Sequence, residues 1–258
     1  MIDNSISFQA ARAIMEEHNV NFHPSFAYSV LDHYIAGEAI VDGCSALIGT
    51  SSGIYAVVGD EKNVHFMDLL MDKFKSRRTA NQRFTLFSPS KLWDLSIMRH
   101  FGAELAQLRR YAFDFNEEHF LGSSRVGCPA NFQLNKINKD AIEANSTFDS
   151  AYITQYWGSA DNFSNKGFGF FVTQDNRYAS ECISIFSSLN CAEIDIVTHE
   201  HFRGRGLAQY MSEAFIQECI DRGLLPKWDC NIHNLASTRL AGKLGFDHPT
   251  TYSVFVMR

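Results

Sequence analysis

The sequence lacks most of the features that tie a chain to a special environment or a metal. Its six cysteines, at 44, 128, 182, 191, 219 and 230, include no pair at CxxC spacing. That speaks against a structural zinc site and against a thioredoxin-like dithiol. There is no excess of base: 23 Lys and Arg stand against 29 Asp and Glu, a formal charge of −6. Non-specific binding to nucleic acid is therefore not expected. No run approaches the ~20 apolar residues that span a bilayer. The start, "MIDNSISFQAARAIMEEH", carries charge without the long apolar core of a secretory leader. No internal repeat or low-complexity tract is visible, and neither a Walker loop nor a GxGxxG turn occurs. The expectation is a cytoplasmic protein in which several cysteines, inside apolar runs such as "ASECISIF", act as small hydrophobes.

What is present is an ordinary globular composition, 45% hydrophobic and 20% charged, over 258 residues. That length suits one large domain or two small ones. Phe8, Ala11, Ile14 and Met15 share a face, which predicts a helix over Ser7–His18 with Ser7 as its cap. "GIYAVVGD" and "RFTLFSPS" read as strands, with "HFMDLLMDKFKSR" between them at helical spacing. "KLWDLSIMRHFG" reads as a helix closed by Gly102, and "LRRYAFDF" as a strand. The alternation predicts an α/β unit ending near 125, inside "LGSSRVGCPA", so residues 1–125 and 126–258 are expected as two regions.

Beyond that boundary the pattern gives a strand at Phe132–Ile137, a helix, and a loop at "WGSADNFSNKG". Strands follow at Phe168–Thr173, Ala179–Ser187 and Ala192–Thr198, the first two joined by the turn "QDNR". A helix over Gly206–Arg222 carries Leu207, Met211, Ala214, Phe215 and Cys219 on one face and stops at Gly223, with Pro226 beyond. After a strand near Trp228, Asn234 caps a helix that ends at Gly245, and Thr251–Met257 forms a last strand.

The chemistry concentrates where a strand hands over to a helix, in "EIDIVTHEHFRGRGLAQYMSEAF". The first turn of a helix has N–H groups without intrahelical acceptors and carries partial positive charge. A strand running into such a turn makes a site for phosphate. Gly204 and Gly206 let an anion approach the backbone without a Cβ in the way, and Arg203 and Arg205 can add charge-assisted hydrogen bonds. A pyrophosphate cradle is the physical expectation, beside the plainer one of a strand–helix turn with two solvated arginines.

Arg203-x-x-Gly206-x-Ala208 after a strand resembles the acyl-CoA-binding signature of the GNAT superfamily of N-acetyltransferases. "NLASTRLAGKLGF", Asn234 to Phe246, is similar to that family's last motif, and the resemblance covers roughly residues 130–258. Within the superfamily, "EIDIVTHEHFRGRGLA" with "PKWDCNIHNLAS" looks most like the zwittermicin-resistance type, which carries an extra amino-terminal region. The resemblance implies an α/β (α+β) fold with a mixed twisted sheet and an additional N-terminal α/β region, here one that helps build the acceptor site. It implies acetyl-CoA as cosubstrate and a primary amine as acceptor, with direct transfer between them.

By the same resemblance, the amides of Arg203, Gly204, Arg205, Gly206, Leu207 and Ala208 hold the pyrophosphate. Backbone groups of Ile196, Val197 and Thr198 pair with the pantetheine arm, and Asn234 and Ser237 face the cofactor. Val197 is the expected oxyanion donor through its N–H. Glu193 or Asp195 is the expected base, Glu193 preferred, with surface carboxylates as the plainer alternative. One departure stands out: Ala241 occupies the place where many members have a tyrosine that protonates the leaving thiolate. Tyr210, Tyr252 or no side chain then serves as acid, since a thiolate is a fair leaving group at neutral pH.

His199-x-His201 is not read as a metal pair. Trp228 and Asp229 either touch the acceptor or belong to the core, and Cys230 is read as a buried thiol rather than a nucleophile. The acceptor favoured by analogy is a small molecule. A protein or peptide acceptor and a CoA-binding regulatory module without turnover are the alternatives. Oligomeric state is left open.

Overall fold

The computed structural model describes residues 4–17, 22–144 and 147–258. The chain divides into two compact units, Met1–Ala112 with Thr250–Arg258, and Phe113–Pro249. The division thus falls before the expected 125, and the last strand returns its end to the first unit.

Unit 1 opens with α1 (Asn4–Glu17) and α2 (Ser25–Leu31), followed by β1 (Gly37–Asp42), β2 (Ser45–Thr50) and β3 (Ile54–Gly59). Then come α3 (Val64–Thr79), β4 (Thr85–Ser88), α4 (Lys91–Phe101) and β5 (Leu105–Phe115), whose last residues belong to unit 2. The strands β1, β2 and β3 form an antiparallel meander, and β4 lies parallel to β3. Asn63 and Ser90 cap α3 and α4 by accepting from the N–H groups of Phe66 and Trp93. The core is aromatic: Phe66, Phe74, Phe84, Trp93 and Phe101 are all buried in one cluster. The helix α1 is under way at Asn4, so Ser7, expected as its cap, lies inside it. His18, its expected end, falls outside the described residues.

Unit 2 contains α5 (Glu117–Gly122), β6 (Gln133–Lys136), α6 (Lys139–Ala144), α7 (Ser150–Trp157), α8 (Ala160–Lys166), β7 (Gly169–Gln174), β8 (Arg177–Ser187) and β9 (Cys191–Thr198). It continues with α9 (Leu207–Asp221), β10 (Leu225–Asn231), α10 (Leu235–Lys243) and β11 (Phe246–Met257). The strands β6 to β9 pair antiparallel in sequence order, and β10 lies parallel to β9. The end of β11 pairs with β4 in unit 1 over Ser253–Val256. This is a mixed α/β architecture with a twisted mixed sheet.

The stretch expected as a loop, Trp157–Gly167, holds the helix α8. Ser159 caps it by accepting from the N–H of Asn162 at 3.1 Å, and its one large apolar side chain, Phe163, is buried against Trp157 at 5.5 Å between ring centroids. A single apolar anchor in seven residues leaves no periodicity to read. Sequence reading also passed over α2, β1, β2 and α5. The face of α9 forms as expected: Leu207, Met211, Phe215 and Cys219 are buried, Ala214 partly so. Cys182, Cys191, Cys219 and Cys230 are buried and unbridged, as small hydrophobes would be. Burial pushes the thiols of Cys182 and Cys219 far above their ordinary range.

Candidate active site

The strand β9 runs into the glycine–arginine turn, and its neighbours decide which of its groups face where. Across the ladder, Cys182 is opposite Ile196, and its thiol donates to the Met211 carbonyl of α9 at 3.6 Å. Ile196 and Cys182 therefore share the α9 face of the sheet. Glu193 and Asp195 alternate with these residues and face the other way, toward α7. There the Tyr152 hydroxyl donates to Oδ2 of Asp195 at 2.7 Å. Tyr152 lies in a short aromatic row, edge-on to Phe148 at 4.9 Å and tilted against Tyr156 at 4.7 Å between centroids. Burial, then the charge of Asp195 and its hydrogen bond, hold the Tyr152 hydroxyl far above the usual phenol range. The charge of Glu193 adds to the same shift, so both carboxylates face this tyrosine.

The backbone of β9 follows an equally strict alternation. His199 donates its N–H to the Ala179 carbonyl at 3.0 Å, and the register runs on through Val197 opposite Glu181 and Asp195 opposite Ile183. On the far edge of β8, Ser184 donates to Phe168 at 2.9 Å, which fits the same parity. In an antiparallel ladder every second residue exchanges hydrogen bonds with its partner. The N–H and C=O of Val197 thus point at β8, and the Ser180 hydroxyl donates to that same carbonyl at 2.8 Å. Val197, expected as the oxyanion donor, is corrected on this ground. Its neighbours Ile196 and Thr198 turn their amides to the opposite edge.

That opposite edge is a cleft. Only Cys191–Glu193 is in parallel register with Leu225–Lys227, and beyond it β9 runs on to Thr198 and β10 to Asn231. The cleft has a volume of about 500 Å³, within the usual range for small-molecule sites. Ile196, Val197 and Thr198 form one wall, and Arg203, Gly204, Gly206, Leu207 and Ala208 form its end. Asn234 and Ser237 of α10 lie across from them, so residues far apart in sequence meet in one place. Arg205 is not part of the lining. Its guanidinium donates to the His201 carbonyl at 3.3 Å and lies 5.5 Å over the Phe202 ring.

The turn itself is built to admit something. Gly204 and Gly206 adopt φ of 76° and 77°, in the left-handed region that glycine tolerates best. A Cβ added at either would meet nothing within 4 Å, so the space above both is open. Gly206 is the N-cap of α9 and offers no side chain to the first-turn N–H groups. Arg203 donates from Nε to the Thr198 carbonyl at 3.1 Å, which ties the turn to the strand before it. Asn234 caps α10 by accepting from the Ser237 N–H at 3.1 Å, while the Ser237 hydroxyl accepts from the Trp228 indole at 3.0 Å. An open helix terminus with free donors fits a pyrophosphate.

Trp228 is buried, as a core residue would be, and also lines the cleft. Cys230 is buried, with its sulfur 3.7 Å from the Thr238 hydroxyl. Ala241 is fully buried and does not line the cleft. Nor do the two candidate acids. Tyr210 meets the Cys128 side chain, and burial and that contact raise its hydroxyl; Tyr252 accepts from Arg110 at 3.2 Å in unit 1. Sequence reading missed Tyr152 and gave no role to Lys243, which lines the cleft. Lys243 had a signal, as the lysine of "KLGF"; Tyr152 had none.

Comparison with known proteins places the chain in a family. The family model for GNAT acetyltransferase matches residues 17–255, which runs through both units. The chain is 40% identical over 236 residues to an uncharacterized N-acetyltransferase, YdfB, of Bacillus subtilis (strain 168), covering 90% of each. In fold it is similar to a GCN5-related N-acetyltransferase-like protein from Streptococcus suis 89/1591, with TM-score 0.73, 22% identity, and 99% and 100% of the two chains covered. It is also similar to a tandem GNAT protein from the clavulanic acid biosynthesis pathway, with TM-score 0.63, 11% identity, and 98% and 95% covered. Among the described residues no helix is long and apolar enough to cross a membrane. The chain belongs to the GNAT acetyltransferase family and is an acyltransferase.

Proposed function

We propose that the protein transfers an acetyl group from acetyl-CoA directly to a primary amine of a small molecule, as a cytoplasmic enzyme most similar within its family to the zwittermicin-resistance type. The observation that carries this reading is the cleft of unit 2, where the "RGRGLA" turn, the free edge of β9 and the "NLAS" start of α10 converge. Amides of the turn from Gly204 to Ala208 hold the diphosphate, and the edge groups of Ile196 and Thr198 pair with the pantetheine arm. Asn234, Ser237 and Lys243 close the other wall. When bound, acetyl-CoA supplies an activated acyl group on a thiolate leaving group.

The protein's own residues then do three things. The Ile196 N–H points to the cleft edge and donates to the oxygen on which charge develops. Glu193, on the α7 face, takes the proton from the attacking amine. Asp195 has one oxygen engaged by Tyr152 and helps orient the ammonium group before it is deprotonated. Cys230 has no place in this scheme, because its thiol is buried and a direct transfer needs no nucleophile. The test is thiol release from acetyl-CoA against a panel of small amines and peptides. Release that depends on an added small amine supports the reading. A chain that binds CoA yet releases no thiol with any amine would overturn turnover, and preference for peptides would overturn the acceptor class.

A further inference from the structure

Unit 1 repeats the element order of unit 2, although the sequence shows no repeat. Two helices, three meandering strands, a helix, a parallel strand, a helix and a strand run from α1 to β5, and the same order runs from α7 to β11. In both units the third strand of the meander pairs parallel with the next strand. Ile54–Ala56 lie in register with Thr85–Phe87, as Cys191–Glu193 do with Leu225–Lys227. The junction of β3 with α3 is therefore the counterpart of the "RGRG" turn. We propose that unit 1 is a second acyltransferase fold whose cofactor cleft is sealed by its own side chains, so that the chain binds one acyl-CoA, in unit 2.

Three features seal it. First, the turn Asp60–Asn63 has no glycine: counted back from the helix start, Asn63 and Glu61 replace Gly206 and Gly204, and Asp60 replaces Arg203, while Lys62 stands where the other unit has Arg205. Two carboxylates there oppose a diphosphate. Second, the helix terminus is already satisfied. Asn63 accepts from the Phe66 N–H at 3.0 Å and Asp60 from the Lys62 N–H at 2.9 Å, whereas Gly206 leaves its helix uncapped by any side chain. Third, the groups that would line the cleft are consumed. The Trp93 indole of α4 donates to the Gly59 carbonyl at 3.1 Å, and the Ser96 hydroxyl donates to the Glu61 carbonyl at 3.1 Å. Trp93 is buried and packs edge-on to Phe66 at 5.9 Å. A Cβ at Gly59 would fall 1.9 Å from the Cys44 carbonyl oxygen, so the backbone is packed here where Gly204 and Gly206 face open space.

The proposal rests on the reading of the unit 2 cleft, and the experiment separates the two. CoA itself is titrated into the full chain by calorimetry, alongside Gly206→Glu, with Gly204→Glu as the substitute should the first variant not fold. Hydrogen exchange is followed by peptide in the same samples. The expected result is one equivalent of CoA in the wild type and at least ~100-fold weaker binding in the folded variant. CoA should slow exchange over 194–208 and 234–244 and leave 54–66 unchanged. Two equivalents, or one surviving in the variant with protection over 54–66, would overturn the sealed cleft. No binding to the wild-type chain would instead overturn the unit 2 reading, and the one-equivalent stoichiometry with it.

Discussion

Replacing Gly206 by glutamate tests the cradle directly, because the structure separates its effect on folding from its effect on binding. Gly206 sits at φ 77°, where a side chain costs about 1–2 kcal/mol. Nothing lies within 4 Å of the added Cβ, so no clash adds to that figure. For a chain of this size the cost corresponds to a fall in Tm of roughly 2–8 °C, and the protein stays folded. Binding is another matter. The carboxylate would stand within ~5 Å of a diphosphate at the helix start, and one charge pair at that distance is worth about 3 kcal/mol at an effective dielectric of ~20. Salt reduces this, but loss of the free N–H geometry adds to it, so the affinity for CoA should fall by at least ~100-fold. Gly206→Ala carries the same backbone cost without the charge and should lie between the two. Calorimetry gives the affinity, and circular dichroism with a thermal melt gives the fold. A folded Gly206→Glu protein with CoA affinity within about threefold of the wild type would refute the reasoning.

Glu193→Gln should lower the transfer rate by ~10²–10⁴ while CoA affinity, measured by calorimetry, stays unchanged; a near-normal rate would move the base to Asp195 or to water. Tyr152→Phe removes the 2.7 Å hydrogen bond to Asp195 and should cost about 1–2 kcal/mol in a denaturant melt, with a higher KM for the amine. Because the Tyr152 hydroxyl is held far above its unfolded value of 10.0, the folded state keeps a proton that the unfolded state loses. Wild-type stability should therefore fall with pH above about 10 more steeply than that of Tyr152→Phe, and equal slopes would contradict the burial. Tyr210→Phe and Tyr252→Phe should each leave kcat within about twofold, since neither hydroxyl lines the cleft. A descending alkaline limb in the pH–rate profile that disappears in one of them would name it as the acid.

The end of unit 2 was legible because its signals are local. The anion turn announces itself through glycines and arginines, and α9 and α10 through four-residue apolar spacing with Asn234 and Gly245 at their limits. Arg203, Gly204, Gly206 and Asn234 do meet in one cleft, whereas Arg205 and Gly245 do not line it. The role given to Val197 failed for a different reason. Which amides of a strand face a cleft depends on its pairing parity, and a shift of one residue reverses every group. That parity is set by β8 through Glu181 and Ala179, and nothing within "EIDIVT" records it. Tyr152 was invisible for the same kind of reason: it reaches Asp195 across 43 positions, from a short helix with little periodicity. The repeat in unit 1 escaped because topology was kept while the two glycines of the cofactor turn were replaced, by Glu61 and Asn63.

One strand can serve three purposes here because a strand presents its groups in three directions. Side chains stand perpendicular to the sheet, alternating between its faces, while backbone amides lie in its plane. On β9 the α9 face is given to Ile194, which is buried in the core, and to Ile196, which is half-buried beside the cleft. The α7 face is given to Glu193 and Asp195, beside Tyr152. The in-plane edge is left open to the cleft by Ile196 and Thr198, and the strand ends at the anion turn. Sealing any of these directions removes the chemistry while leaving the fold. In unit 1 the edge and the turn are both closed, by Trp93, Ser96 and Asn63, and a protein fold of the same order remains without a place for the cofactor.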